Sequence, residues 1–155
     1  MASEKEFGLV GELRMWKYDR DGNLLESRQG TNKILNKGFS MVCRMIGAYD
    51  TTTGKKSFRW VAVGKNSAVA TATQTALISH TGRKKGTWTH GSTKYFSNVI
   101  TFNGGSLGAP TTIYESGLFN TTTGGSGLNR KKFTGVQMAT TDKLTVQWKI
   151  TFTQA

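Results

Sequence analysis

The stretch that decides the fold is Leu144-Thr-Val-Gln-Trp-Lys-Ile-Thr-Phe-Thr153. Its apolar residues alternate strictly with Thr, Gln and Lys over ten positions. Successive side chains of a β-strand point to opposite faces of the sheet, so this alternation predicts a strand with one buried face and one exposed face.

Other segments of the chain carry the same signature in shorter form. They are rich in β-branched and aromatic residues and are separated by loops of Gly, Ser and Thr; they cover residues 58–63, 94–102, 111–119 and 128–135. Many short strands between such loops predict a mainly β protein. We therefore expect an antiparallel β-sandwich or barrel with jelly-roll-like character.

Two further elements precede this β-rich part. Residues 7–30 predict a hairpin, because Asp21-Gly22 favours a tight turn. Residues 32–47 predict one short α-helix, since their apolar residues recur at spacings of three to four, with Asn32 as N-cap and Gly47 as a stop. A length of 155 residues suits one domain. The expected organisation is a single β-rich domain over 1–155: hairpin 7–30, helix 32–47 and β-sandwich 58–155.

Charge is unevenly distributed along the chain. The whole sequence has 21 basic and 9 acidic residues, a formal net charge of +12. Residues 1–50 hold eight bases and seven acids, whereas residues 51–155 hold thirteen bases and two acids, Glu115 and Asp142. Such a surface attracts polyanions or acidic neighbours.

The sequence contains few residues of the types that catalyse reactions in enzymes. The histidines are His80 and His90, and the single cysteine, Cys43, falls in the predicted apolar helix, where a buried and inert thiol is expected. A two-carboxylate mechanism would need Glu115 and Asp142 to share a cleft, or one of them to meet an acid of the N-terminal hairpin. We therefore predict no enzyme activity and no cofactor. We also predict no metal site, because the spacing of these residues matches no metal-binding pattern.

Three clusters of basic residues are the candidate binding residues. They are Lys55, Lys56 and Arg59, then Arg83, Lys84 and Lys85, then Arg130, Lys131 and Lys132. Each cluster lies near an aromatic residue in sequence: Trp60, Trp88 or Phe133. Basic groups beside aromatics could hold nucleic acid, could dock electrostatically on an acidic protein, or could simply be loop charges that keep a β protein soluble. We expect these clusters in loops between strands.

Two weaker sequence patterns bear on contacts between subunits and on membrane crossing. The Thr-rich face of residues 144–153 could pair with another subunit if this strand lay at a sheet edge, although Thr is also common in strands generally. No apolar run is long enough to cross a bilayer, and residues 1–7 do not resemble a secretory leader. With one cysteine, the chain cannot form an internal disulfide.

Three stretches, taken in order, resemble small virion structural proteins of tailed bacteriophages. The first runs from Trp60-Val-Ala-Val-Gly64 through Ala68-Val-Ala-Thr-Ala-Thr-Gln-Thr-Ala-Leu77. The second is Ile113-Tyr-Glu-Ser-Gly-Leu-Phe-Asn120, and the third is the closing segment 142–153. The hairpin at Gly11–Gly22 also fits this family.

The resemblance implies a non-enzymatic assembly protein of the virion, made in the host cytoplasm and assembled as a homo-oligomer with other virion proteins. The leading expectation is a capsid decoration (cement) protein whose basic clusters dock on the acidic major capsid protein. A tail or tail-fibre-attachment protein is the alternative within this class. A basic nucleic-acid-binding protein is the alternative from another class.

Overall fold

The computed structural model describes residues 7–36, 38, 42, 57–92, 95–124 and 127–154, and these form two five-stranded antiparallel sheets. The strand order is β2-β1-β10-β7-β6 in the first sheet and β3-β9-β8-β4-β5 in the second. The strands are β1 (Phe7–Tyr18), β2 (Leu24–Thr31), β3 (Lys33–Ile34), β4 (Trp60–Gly64), β5 (His80–Lys85), β6 (Thr87–Ser92), β7 (Tyr95–Asn103), β8 (Thr111–Phe119), β9 (Gly127–Met138) and β10 (Lys143–Gln154).

The predicted strand at residues 144–153 is confirmed as part of β10, which lies in the middle of the first sheet between β1 and β7. Its alternate side chains Leu144, Val146, Trp148 and Ile150 are buried in the core between the sheets. Because both edges of β10 are occupied, the idea that this strand pairs with another subunit through its edge is wrong. On its opposite face, the Thr145 and Thr101 hydroxyls lie 2.9 Å apart within the sheet.

The two sheets share one apolar core and a polar connection through it. The core takes buried residues from both sheets, among them Leu13, Phe102, Ile113 and Leu118. Trp148 of the first sheet donates its indole N–H to the Ser116 hydroxyl of the second at 3.1 Å, and Ser116 donates in turn to the Ala62 carbonyl at 2.8 Å. The buried indole therefore has a hydrogen-bond partner, which a buried polar group requires.

The predicted hairpin is present as β1 and β2. Gly22 has a φ of 87°, a left-handed conformation that suits glycine, and the Asp19 carboxylate accepts hydrogen bonds from the backbone N–H groups of Asp21 and Asn23. The side-chain amide of Asn23 also donates to this carboxylate at 3.0 Å, and this hydrogen bond, followed by the backbone ones, lowers the pKa of Asp19 below its ordinary value. Strand β1 also pairs along its whole length with β10, so the hairpin is built into the first sheet.

The predicted helix over residues 32–47 is not confirmed. Its start is extended instead, because Lys33–Ile34 forms β3 and pairs with Arg130 and Asn129 of β9. Asn36, Gly38 and Val42 have helical backbone, and residues 37, 39–41 and 43–47 lie outside the described residues. The helical element delimited within the described ranges is a 3-10 turn, Gly104–Leu107. No helix in that part of the chain is long and apolar enough to cross a membrane.

Of the two predicted architectures, the structure shows the sandwich-like one. Neither sheet closes on itself among the described strands, which leaves β2 and β6 as edges of the first sheet and β3 and β5 as edges of the second. Consecutive strands pair directly at β1–β2, β4–β5, β6–β7 and β8–β9, and strands far apart in sequence pair at β1–β10, β7–β10, β3–β9 and β4–β8.

Candidate functional site: a basic face on the second sheet

The outer face of the second sheet gathers basic residues that are far apart in sequence. Lys33, Arg130, Gly117, Ala62 and Arg83 lie opposite one another in register across its five strands. Residues directly opposite in neighbouring strands share a face of the sheet. The neighbouring rows on the same face add Lys132, opposite Glu115, and Lys85, opposite Trp60. We call this surface, with Lys33, Arg83, Lys85, Arg130 and Lys132, the basic face.

The expectation that the basic clusters lie in loops is wrong for two of the three. Arg83, Lys84 and Lys85 belong to β5. The third cluster belongs to β9 and consists of Arg130, Lys131 and Lys132. The alternation of a strand therefore divides each cluster between two faces. Lys84 lies beside the core ring of Phe102, at 5.7 Å from its centroid, and Lys131 extends towards Gly30 of β2.

A segment without regular structure, residues 65–79, packs across the middle of this face, and we call it the strap. Leu77 of the strap joins Ala62 and Phe119 in a small apolar cluster on the outer side of the sheet. Gly117 lies directly beneath it: a Cβ there would stand 3.2 Å from Leu77 Cδ2 and 2.7 Å from the backbone oxygen of Asn129. Glycine is thus required at this position by close approach.

Glu115 and Arg130 form a fully buried ion pair under the strap, with 2.7 Å between Glu115 Oε2 and Arg130 Nε. The same carboxylate accepts hydrogen bonds from the strap backbone, from Ser79 N at 2.7 Å and Ile78 N at 3.1 Å, while Asn66 N lies at 3.4 Å. Arg130 also donates from Nη1 to Gln74 Oε1 at 3.2 Å. The pair therefore ties both halves of the strap to the sheet.

This burial changes the role of one candidate residue. Arg130 was predicted to dock a partner, but its side chain has no exposed surface and its main partner is Glu115. Its Nη2 atom is nevertheless buried without a hydrogen-bond partner. The exposed cations of this cluster are Lys132 and the half-buried Lys131, joined from the neighbouring strand by Lys33, which the sequence analysis did not single out.

A cleft lies between the strap and the β3–β9 edge of the basic face. Its volume is about 330 Å³, and its lining consists of Thr31, Asn32, Lys33, Val69, Ala70, Arg130, Lys131 and Lys132. No carboxylate is among these lining residues, and the one acid that touches Arg130 is Glu115 beneath it. We call this the strap cleft.

Arg83 marks the opposite edge of the basic face, and it is largely engaged within the fold. Its guanidinium lies 3.9 Å from the ring centroid of Phe119 and donates from Nη1 to the carbonyls of Thr121 at 3.1 Å and Gly124 at 2.9 Å. Partial burial lowers its pKa, yet a guanidinium stays charged at any physiological pH. Burial and the nearby charge of Arg83 lower the pKa of His80, and Glu115 opposes this shift.

The first basic cluster is separate from this face. Lys55 and Lys56 lie outside the described residues. Arg59 is half-buried beside Trp88, 5.9 Å from that ring, and its Nε has no partner. Trp88 on edge strand β6 is 42% exposed and stacks on His90, with ring centroids 6.0 Å apart. This small aromatic and basic site lies at the β6 edge of the first sheet, with Arg59 reaching it from the residue before β4.

Each acidic group in the described residues has a partner within the chain. Glu12 pairs with Arg14, Glu26 with Arg28, Asp21 with Arg20, Glu115 with Arg130 and Asp142 with Lys17, while Asp19 holds its turn. Among the described lysines, Lys17 is the one that reaches a carboxylate. The others leave their charge uncompensated, and those that are exposed are Lys33, Lys65, Lys85, Lys132 and Lys143.

The carboxylates that a hydrolytic mechanism would need do not meet. Glu115 lies under the strap, whereas Asp142 lies in the turn before β10, where it accepts from Ala139 N at 2.7 Å and pairs with Lys17 at 3.5 Å. Cys43 lies outside the described residues, and His80 and His90 are on exposed strand positions. Within the described ranges, no three His, Cys, Asp or Glu side chains cluster in a way that could hold a metal ion.

The sequence motif at residues 113–119 now has a physical explanation. Ile113 and Leu118 enter the core, Glu115 holds the strap, Gly117 admits Leu77, and Phe119 stacks under Arg83. The motif therefore describes how strap and sheet are joined.

A scan against protein-family models and searches of curated proteins and of solved structures found no match for this chain.

Proposed function

We propose that this chain is a non-enzymatic assembly protein that binds an acidic protein surface through the basic face. The setting we propose is the virion of a tailed bacteriophage, with the chain as a capsid decoration protein that assembles as a homo-oligomer on the shell. The virion setting is supported by the ordered sequence resemblance alone. The docking mode is supported by the charges of the folded chain.

The observation that carries the proposal is the imbalance between the acids, which are paired within the chain, and exposed lysines that have no such partner. Every carboxylate in the described residues has a partner inside the fold, whereas Lys33, Lys85 and Lys132 present unpaired charges on one face. Complementary charge on a partner would speed the encounter and orient it. A face made of strands also holds these charges at fixed spacings, which favours a defined partner over diffuse attraction.

The test measures how much of the protein is bound to purified particles of the virus from which the chain comes. In the variant Lys33→Ser/Lys85→Ser/Lys132→Ser the basic face loses three charges. The control Arg14→Ser/Arg20→Ser/Lys143→Ser loses the same charge from exposed positions on the first sheet and in its β1–β2 turn. We expect the face variant to lose occupancy at moderate salt and the control to keep it. Absence of the wild-type chain from particles would refute the virion setting, and equal occupancy of both variants would refute the docking face.

Electron microscopy of the same particles separates two locations. Density for the chain on the capsid exterior supports the decoration role. Density confined to the tail supports the alternative, a tail or tail-fibre-attachment protein.

Nucleic-acid binding is a second candidate because of Trp88, whose exposed ring with Arg59 beside it could stack a base. Its test is binding of a labelled single-stranded oligonucleotide across a range of salt concentrations. Affinity should fall by about 0.7 log units per log unit of salt for each phosphate contact, and Trp88→Ala should weaken it further. Lack of binding at low salt would eliminate this candidate.

A further inference from the structure

The strap cleft combines three features that together indicate a ligand. It has the charges of Lys33, Lys131 and Lys132 in its lining, and no acid among the described residues that line it. It has a fully buried cation in its lining, Arg130, whose Nη2 group has no hydrogen-bond partner among the described residues. Buried donors are nearly always satisfied, so an unsatisfied donor beneath the cleft is unusual.

The rim of the cleft adds an apolar element. Val69 of the strap is 72% exposed, the highest value among the exposed large apolar side chains of the described residues, and Ala70 lies next to it in the lining. A ligand that is only an anion would leave this apolar surface in water. A ligand with methylene groups next to its charge would cover it.

We infer that the strap cleft receives a glutamate or aspartate side chain from an acidic segment of the partner protein. This inference rests on the proposed docking function and names the chemistry of its anchoring point. The carboxylate would lie between Lys33 and Lys132, with Lys131 adding charge, and the side-chain methylenes and backbone of the segment would pack on Val69.

An acidic peptide fits this cleft better than a nucleic-acid strand. The lining contains no aromatic ring on which a base could stack. Its position at the sheet edge, closed on one side by the strap, suits a single projecting side chain. A continuous backbone of phosphates would instead need a row of exposed cations.

The experiment measures binding of a fluorescein-labelled hexaglutamate peptide to the full chain by fluorescence anisotropy at about 20 mM salt, where screening is weak. The cleft variant is Lys33→Ser/Lys132→Ser, and the matched control is Lys65→Ser/Lys143→Ser, which removes two exposed charges that lie outside the basic face and outside the lining of the cleft. We expect the cleft variant to bind about tenfold more weakly or worse, and the control to change affinity by about twofold, since charge-assisted contacts are strong and charges far from the peptide add only a weak long-range attraction.

A second variant, Val69→Ser, leaves the charge unchanged and is expected to weaken binding about threefold through lost apolar contact. Unchanged affinity of this variant would overturn the seating of the peptide in the cleft. Thermal unfolding of each variant verifies that the fold is intact, which the exposed positions of these residues lead us to expect.

The remaining outcomes separate this inference from the proposed function. Equal losses in the cleft variant and its control would overturn the cleft as an anchoring point, whereas the docking face stands or falls by the occupancy of particles described above. A wild-type chain that does not bind the peptide at low salt would overturn both. Tighter binding of labelled oligothymidylate than of the peptide, lost in the cleft variant, would overturn the assignment of an acidic peptide as the ligand.

Discussion

The variant Glu115→Gln tests whether the strap is held by a buried charge. The substitution keeps the shape of the side chain but leaves Arg130 as a buried cation without its anion. Removing one partner of a buried ion pair costs about 3–5 kcal/mol, because the remaining charge is neither solvated nor compensated. For a domain of this size, about 2–4 °C of melting temperature is lost per kcal/mol, so we expect a decrease of roughly 6–20 °C.

The assay is urea unfolding followed by tryptophan fluorescence, with thermal unfolding as a second measure. The control is Glu26→Gln, which removes a partly exposed pair with Arg28 whose closest atoms are 3.7 Å apart. Partly exposed pairs of this kind contribute about 0–1 kcal/mol, so the control should unfold close to wild type. A loss of stability in Glu115→Gln no larger than in this control would refute the reasoning.

A double variant identifies which part of the interaction dominates. In Glu115→Gln/Arg130→Met no buried charge remains, and replacing a buried pair by uncharged residues is often neutral or stabilising. We therefore expect the double variant to be more stable than Glu115→Gln alone. If it is not, the hydrogen bonds from the backbone of Ile78 and Ser79 to the carboxylate carry the stabilisation.

Three further predictions concern packing and pH. Gly117→Ala should lower the free energy of unfolding by about 1–3 kcal/mol through overpacking against Asn129 O, whereas Gly105→Ala, whose nearest neighbours lie 3.7 Å away, should change it little in the same urea assay. Trp148→Phe should lower it by about 1–3 kcal/mol, measured by calorimetry, because volume is lost and the hydrogen bond to Ser116 disappears. The folded state lowers the pKa of His80 below 6.5, so protonation of this residue favours the unfolded chain. Stability should therefore decline as pH falls from 6.5 through the folded-state pKa. The variant His80→Gln should flatten this part of the profile when melting temperature is measured against pH.

Local patterns predicted the elements that obey local rules. The alternation at residues 144–153 and the Asp21-Gly22 turn each depend on neighbours in sequence, and both appear as predicted. The helix over 32–47 failed at its start because Lys33 and Ile34 find hydrogen-bond partners in β9, almost a hundred residues further along the chain. Such pairing is absent from any local window of sequence.

The candidate site shows the same division. The sequence indicated Arg83, Lys85 and Lys132 as basic residues worth attention, and all three lie on the basic face. It treated Arg130 as equivalent to its neighbours, although Glu115 holds it in the interior. It passed over Lys33, which lies outside any basic run and joins the cleft through β-sheet register alone. Gln74 was likewise missed, since nothing in its Thr- and Ala-rich surroundings marks it as a partner of Arg130.

The sequence by itself determined that this is a β protein with an excess of positive charge after residue 50, because strand periodicity and composition are read directly from the order of residues. The tertiary structure decided which charges are buried and which are free. Glu115 and Arg130 neutralise one another only because two strands and the strap bring them within 2.7 Å. Burial and pairing depend on distances in space, so the position of the strap cleft and its three lysines emerged only once the second sheet was assembled.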